Sequence, residues 1–184
     1  MSDKSEILLI LDLDETLIHA TEKDLDVEAD FRFDNYLVHK RPVLDKFLTD
    51  ISNHYKIGIW SSASDIYVST IVNKIKPDSI NFEFVWGRSK CTLKRDINLD
   101  SYYYEKRLDK LKRKGYQLEK ILIVDDTPSK SNRNYGNAIY IKEFSGDKTD
   151  EELNLLHDYL LTLKSIENVR TVEKRRWWAN KGGT

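Results

Sequence analysis

A single cysteine, Cys91, excludes an internal disulfide framework and fits a reducing compartment, so the expected location is the cytoplasm. Three prolines and seven glycines leave little room for flexible linkers, and no internal repeat or low-complexity segment interrupts the 184 residues. One domain over 1–184 is therefore expected. A formal net charge of −1 supplies no global basic field toward nucleic acid. Apolar runs are far too short to span a bilayer, and the opening MSDKSE lacks a secretory profile, so no membrane partner is expected. His19, His39, His54 and His157 are scattered without zinc-ligand spacing. Ile97 stands six residues after Cys91, where the C-x₅-R loop of a cysteine phosphatase needs arginine. No G-x-x-x-x-G-K-[ST] string is present, which leaves a P-loop kinase unsupported.

What is present begins at Ile7. The run ILLILDLDET joins five consecutive aliphatics to two carboxylates and a threonine. Such a run fits a strand buried on both faces of a parallel sheet, with Asp12 and Asp14 at its carboxyl end. That edge is where open α/β sheets bind ligands. The pattern recurs: Lys56–Trp60 ends in Ser61, and Ile121–Val124 ends in Asp125 and Asp126. Parallel strands bring their carboxyl ends to one edge, so these residues should converge. Four acids there repel unless a cation lies among them, and hard oxygen ligands suit Mg²⁺.

Further elements alternate along the chain. The segment 17–40 reads as a small β-hairpin, with Phe31-Arg32-Phe33 and Tyr36-Leu37-Val38 as its arms. A helix is expected from Arg41-Pro42 to Ile51, and another from Ile66 to Ile75, stopping before Pro77. Phe82–Trp86 and Ala138–Ile141 read as strands, and Ser101–Lys114 as a charged helix closed by Gly115. A final amphipathic helix over Glu151–Lys164 precedes a tail, 165–184, that contains Lys174-Arg175-Arg176-Trp177-Trp178. Docking of these tryptophans onto the domain is favoured over stacking on bases. The alternation predicts an α/β fold, with a mostly parallel central sheet flanked by helices.

At this point DLDETLIH (Asp12–His19), HKRPVLDKFL (His39–Leu48), IWSSAS (Ile59–Ser64), GRSKC (Gly87–Cys91), YYYEKRLDKLKRKGY (Tyr102–Tyr116) and VDDTPSK (Val124–Lys130) can be read together. In that order the chain resembles a haloacid dehalogenase (HAD) superfamily phosphatase. Within the superfamily it is similar to the branch of RNA polymerase II C-terminal-domain phosphatases and NLI-interacting-factor-like proteins. The resemblance implies a Rossmann-like HAD fold with a hairpin insertion after the first strand and no large cap. It implies Asp12 as nucleophile forming an aspartyl-phosphate, and Asp14 as general acid and then general base. Ser61 would hydrogen-bond a phosphoryl oxygen, and Thr16 and Arg88 would contact substrate. Mg²⁺ would be held by Asp12, the backbone carbonyl of Asp14 and the Asp125-Asp126 pair, with Asp126 as the direct ligand.

A lysine near the phosphate is also implied. Among Lys90, Lys94, Lys106, Lys110, Lys112 and Lys114, the Tyr-x-x-x-Lys-x-Leu spacing picks Lys106. The activity implied is Mg²⁺-dependent hydrolysis of phosphomonoesters, with phosphoserine or phosphothreonine in a protein or peptide as substrate. Nucleic-acid 3′- or 5′-phosphates and a non-catalytic phospho-binding module are the alternatives. Phe31, Phe33 and Tyr36 are candidates for an apolar wall beside an open entrance.

Overall fold

A computed structural model describes residues 6–96 and 100–179, without the side chains of Asp96 and Asn132. Five strands form the central sheet: β1 (Leu8–Leu11), β5 (Lys56–Trp60), β6 (Phe84–Trp86), β9 (Ile121–Asp125) and β10 (Ala138–Tyr140). Their order is β10-β9-β1-β5-β6 and every pairing is parallel. β1 is central, which explains why its sequence is uninterrupted aliphatic: both faces and both edges are covered. Alternation divides its side chains, with Leu9 and Leu11 in one core cluster and Leu8 and Ile10 in the other.

The two faces are covered unequally. Helices α1 (Leu44–Ser52), α2 (Asp65–Ile75) and α4 (Glu152–Leu163) all bury their apolar stripes in the Leu9/Leu11 cluster. The opposite face is closed by Leu108, by Leu111 of the short α3 (Asp109–Lys112), and by Trp60, Phe84 and Trp86. Helix α1 starts later than Pro42 suggests, because Val43 sits in the left-handed region at φ 59° and only then does the chain turn helical. Segment 17–40 holds the expected hairpin, β3 (Phe31–Phe33) with β4 (Tyr36–Lys40). Strand β2 (Ile18–Thr21) adds a third, antiparallel member on the other side of β4.

The helix expected over Ser101–Lys114 is corrected by the structure. Thr92–Asp96 (β7) and Ser101–Glu105 (β8) instead form a separate antiparallel ribbon, and the helix shrinks to α3. Three consecutive tyrosines, 102 to 104, favour an extended backbone, and β7 offers them a partner. Gly115, at φ 87°, does end the helical turn in the left-handed conformation expected of it.

The tail docks. Trp177 is buried against Tyr159 and its indole N–H donates to the carbonyl of Tyr140 at 2.7 Å, while Trp178 stays half exposed. Lys174 is buried with its ammonium donating to the carbonyls of Gly136, Val169 and Val172.

Candidate active site at the carboxyl edge of the sheet

Sheet pairing continues one residue past each strand and thereby aims the polar groups. The Asp12 N–H donates to the Val124 carbonyl at 3.0 Å and the Ser61 N–H to the Trp86 carbonyl at 2.9 Å. After Asp14 the chain reverses through Glu15, held at φ 57°, a left-handed conformation costly for a side chain of this size. The Glu15 N–H donates to the Ile18 carbonyl, and its own carbonyl accepts from Phe144, both at 2.8 Å.

Asp12 and Lys106 meet in the interior. The Lys106 ammonium lies 2.6 Å from Asp12 Oδ1 and 2.7 Å from Asp125 Oδ2, with all three side chains buried. Lys106 is delivered by the end of β8, and its backbone is tied from both sides. Its N–H donates to the Lys130 carbonyl at 2.8 Å, and its carbonyl accepts from the Asn134 amide. A second ammonium, that of Lys130, reaches Asp12 Oδ2 at 3.4 Å and Asp126 Oδ1 at 3.7 Å. Burial opposes ionisation of Asp12, but Lys106 and Lys130 outweigh it and hold the carboxyl below its ordinary range. Burial likewise opposes charge on Lys106, and Asp12 and Asp125 reverse that, keeping it protonated.

Asp125 and Asp126 are engaged differently. Both oxygens of Asp125 are committed, Oδ2 to Lys106 and Oδ1 to the backbone N–H of Thr127 at 2.9 Å. Burial and the charge of Asp12 push its pKa up to about 6. Asp126 accepts from the Thr127 hydroxyl through Oδ2 at 2.8 Å, while among the described residues its buried Oδ1 accepts no hydrogen bond and has only the Lys130 ammonium, at 3.7 Å, as an ionic neighbour. Oxygens of Asp12, Asp125 and Asp126 lie within 4.8 Å of one another, a hard-oxygen cluster of the kind that Mg²⁺ accepts. The donor set fits such an ion, as does the Asp126 oxygen that accepts no hydrogen bond.

Asp14 faces another environment. The Tyr67 hydroxyl donates to its Oδ1 at 2.6 Å and the Ser61 hydroxyl to its Oδ2 at 3.0 Å. Burial raises its pKa; the Asp12 charge adds to that, and the two hydrogen bonds offset it only in part. Glu15 beside it is raised to about 7 by burial and by the charges of Asp14 and Asp126.

Asp14 also opens onto a cavity of about 430 Å³ lined by Phe33, Tyr36, Tyr67 and Arg88 among others. Phe33 meets the Tyr67 ring edge-on at 5.3 Å. Phe31 does not line this cavity; it packs against the core and beneath the Lys74 ammonium. Arg88 donates through Nε to the Ser62 carbonyl at 2.9 Å and stacks over the Tyr104 ring at 5.1 Å.

The structure thus brings together Asp12, Lys106, Asp125 and Asp126, and sets Asp14, Ser61 and Arg88 alongside. Thr16 is not among the cavity residues. It is fully buried, and its hydroxyl has no partner. Its carbonyl accepts from Arg41, which also forms a two-point ion pair with Asp150 at 2.7 and 2.8 Å. Sequence reasoning missed Lys130 and Tyr67. The first lies four residues past Asp126, a spacing that favours an ion pair; the second lies in the first turn of the helix that follows Ser61.

A model of the family described as NLI interacting factor-like phosphatase matches residues 7–170. The chain is 31% identical over 183 residues to CTD nuclear envelope phosphatase 1B of Danio rerio, covering 91% of this chain and 71% of that protein. It is 29% identical over 172 residues to CTD small phosphatase-like protein 2 of Dictyostelium discoideum, covering 90% of this chain and 29% of that protein. The chain therefore spans less than a third of the Dictyostelium relative's length. Among solved structures, the fission yeast RNA polymerase II CTD phosphatase Fcp1 bound to beryllium fluoride aligns with TM-score 0.58 at 17% identity. It covers 95% of this chain and 48% of that one, a likeness of fold.

The cytoplasmic expectation is corrected by these relatives, since the Danio rerio protein is named for the nuclear envelope. A low cysteine count does not distinguish one compartment from another. Among the described residues, no helix is long and apolar enough to cross a membrane.

Proposed function

This chain belongs to the NLI interacting factor-like phosphatase family, and on that premise we propose that it hydrolyses phosphomonoesters through an aspartyl-phosphate, with phosphoserine or phosphothreonine in protein as substrate. The observation that carries this reading is the contrast between two carboxylates two residues apart. Asp12 is held ionised by buried Lys106, while Asp14 is pushed toward its protonated form by burial. A nucleophile and a proton donor need those opposite states.

In the first half-reaction an Asp12 carboxylate oxygen attacks phosphorus as the bond to the leaving oxygen breaks, and Asp14 gives that oxygen its proton. In the second, Asp14 takes a proton from water, the water oxygen attacks phosphorus, and the Asp12–phosphorus bond breaks to release inorganic phosphate. Lys106 and Lys130 offset negative charge at Asp12 as the anionic phosphate arrives. Ser61, which donates its hydroxyl proton to Asp14, can redirect it to a phosphoryl oxygen when substrate arrives, while Tyr67 holds the Asp14 carboxyl in place.

Mg²⁺ would be held by oxygens of Asp12 and Asp126 and, as the family resemblance implies, by the Asp14 carbonyl, while Asp125 would orient Lys106 rather than bind the ion. Such an ion supplies charge neutralisation between carboxylate and phosphate. The open cavity beside Asp14, with Phe33 and Tyr36 on its wall, suits a phosphate displayed on a polypeptide better than an enclosed metabolite. Burial of Trp177 removes one of the two tryptophans that a base-stacking tail would use.

The test compares a chromogenic aryl phosphate, phosphoserine peptides and phosphorylated oligonucleotides, each with and without Mg²⁺. Metal-dependent release of phosphate from the peptides at the highest kcat/KM is expected. Preference for the oligonucleotides would replace the protein substrate, and no turnover of any ester would remove the enzymatic reading.

A further inference from the structure

The β7–β8 ribbon lies outside the central sheet and outside the 17–40 insertion. Pairing sets Leu93 opposite Tyr104 and Arg95 opposite Tyr102, so these four side chains share one face. The other face carries Thr92, Lys94 and Tyr103, all half-buried, the exposed Ser101, and the buried Glu105. On the outer face Leu93 is 54% exposed and Tyr102 is 65% exposed. Two large apolar groups exposed together on one face of a ribbon, rather than scattered singly, form a candidate contact surface. A two-stranded ribbon is marginal by itself, which makes an unpartnered apolar face on it costly to keep without a use.

That face is continuous with the candidate active site. Arg88 stacks over Tyr104 of the ribbon and at the same time lines the cavity that holds Asp14. Its Nε is spent on the Ser62 carbonyl, and among the described residues no acid pairs with Arg88 or with the exposed Lys90 beside it. Arg95 differs, because Asp100 lies 2.6 Å from it and neutralises it. This face therefore starts beside the cations Arg88 and Lys90, at Tyr104 and Leu93, and runs on to Tyr102 opposite the neutralised Arg95. A five-residue strand is about 16 Å long, the reach of four or five residues of extended chain.

We propose that this face docks the substrate polypeptide next to its phosphorylated residue. The docked segment is extended, with acidic side chains against Arg88 and Lys90 and an apolar one against Leu93 and Tyr102. The inference rests on the phosphopeptide reading above, and it adds a determinant that the catalytic residues do not contain. Charge at one end would steer the peptide, and the apolar contact would supply most of the affinity, as a few buried side chains do at other interfaces.

The test uses phosphoserine peptides sharing one short core. Each is left short or extended on one side or the other by five residues that are acidic with one leucine, neutral with one leucine, or basic with one leucine. The protein is used as the full chain and as a Leu93→Ser/Tyr102→Ser double variant, whose thermal unfolding is checked against the parent. Binding to Asp12→Asn by fluorescence anisotropy, with and without the ribbon substitutions, reports docking without turnover. The acidic extension on one side is expected to raise affinity and kcat/KM about tenfold over the short peptide. The double variant is expected to lose that gain while hydrolysing the short peptide and an aryl phosphate as before.

Retention of the gain by the double variant, or no gain from any extension, overturns the proposal. Equal gains from acidic and basic extensions overturn the cationic end. A ribbon-dependent gain for oligonucleotides but not for peptides assigns the face to nucleic acid instead. Extension-dependent binding with no turnover of any ester leaves the docking face standing and sinks the phosphatase reading.

Discussion

Asp12 and Asp14 leave the same strand two residues apart, yet one lives among ammonium groups and the other among hydroxyls. Asp12 has Lys106 at 2.6 Å and Lys130 at 3.4 Å, and its proton is driven off. Asp14 has Tyr67 and Ser61, neutral donors that orient a carboxyl without overcoming the cost of burial, and its pKa rises. Full charge outweighs desolvation where a dipole does not. The difference assigns roles to two chemically identical side chains, and it comes from what neighbouring elements bring.

The contrast breaks most completely at Asp12. Asp12→Asn keeps the shape and removes the attacking charge, so steady-state turnover should fall by about 10⁴-fold or more, to background. Turnover near the parent level would end the covalent reading. Asp14→Asn sharpens the contrast through the leaving group. An alkyl phosphate needs its departing oxygen protonated and should lose about 10²–10⁴-fold, whereas a nitrophenyl phosphate should lose much less and accumulate phospho-enzyme. Equal losses on both, with nothing trapped on acid quench, would remove Asp14 as the proton donor.

Lys106→Met takes the cation from the Asp12 side. Two buried carboxylates, Asp12 and Asp125, are then left facing one another, a loss of about 3–5 kcal/mol expected for a broken buried pair. Urea unfolding measures it, and Mg²⁺ should restore part of the stability because it offsets the same charges. No metal response would argue against an ion at these oxygens.

The smallest effect is expected at Tyr67. Tyr67→Phe keeps the ring against Phe33 and deletes one hydroxyl, lowering kcat on alkyl phosphates by about tenfold with little change in stability. That hydroxyl donates to the ionised form of Asp14 and so lowers its pKa; without it the pKa rises further. Asp14 then keeps its proton to higher pH, and the alkaline limb of kcat/KM should move upward. An unmoved limb would make Tyr67 a packing residue only.

Much of this architecture is legible in the chain. Buried parallel strands write themselves as nearly continuous apolar runs, aliphatic throughout β1 and over Ile121–Val124 and broken by Gly58 in β5, so these strands and the polar residues at their ends can be read directly. The region 101–114 is not legible in that way. Its charges and terminal glycine resemble a helix, and only pairing with β7 makes Tyr102–Tyr104 a strand. Local propensity there is weak in both directions, and the partner decides. Phe31 and Phe33 look equivalent in sequence, yet only Phe33 reaches the cavity. Thr16 sits inside the motif and still ends buried behind it, because Arg41 and Asp150, 109 positions apart, draw that loop inward.

By itself the sequence determined the parallel sheet, the edge at which acids gather, and the candidate positions of Asp12, Asp14, Ser61, Asp125 and Asp126, since strand ends follow from local hydrophobic pattern, whereas Lys106 is picked out only by the family resemblance. The tertiary structure alone decided which carboxylate meets which neighbour. Lys106 comes from a ribbon, Lys130 from the loop after β9, and Tyr67 from a helix after β5. A carboxyl's protonation is set by charges and donors within a few ångströms of it, and for Lys106 and Tyr67, brought to Asp12 and Asp14 from other elements, distance along the chain gives no guide to those.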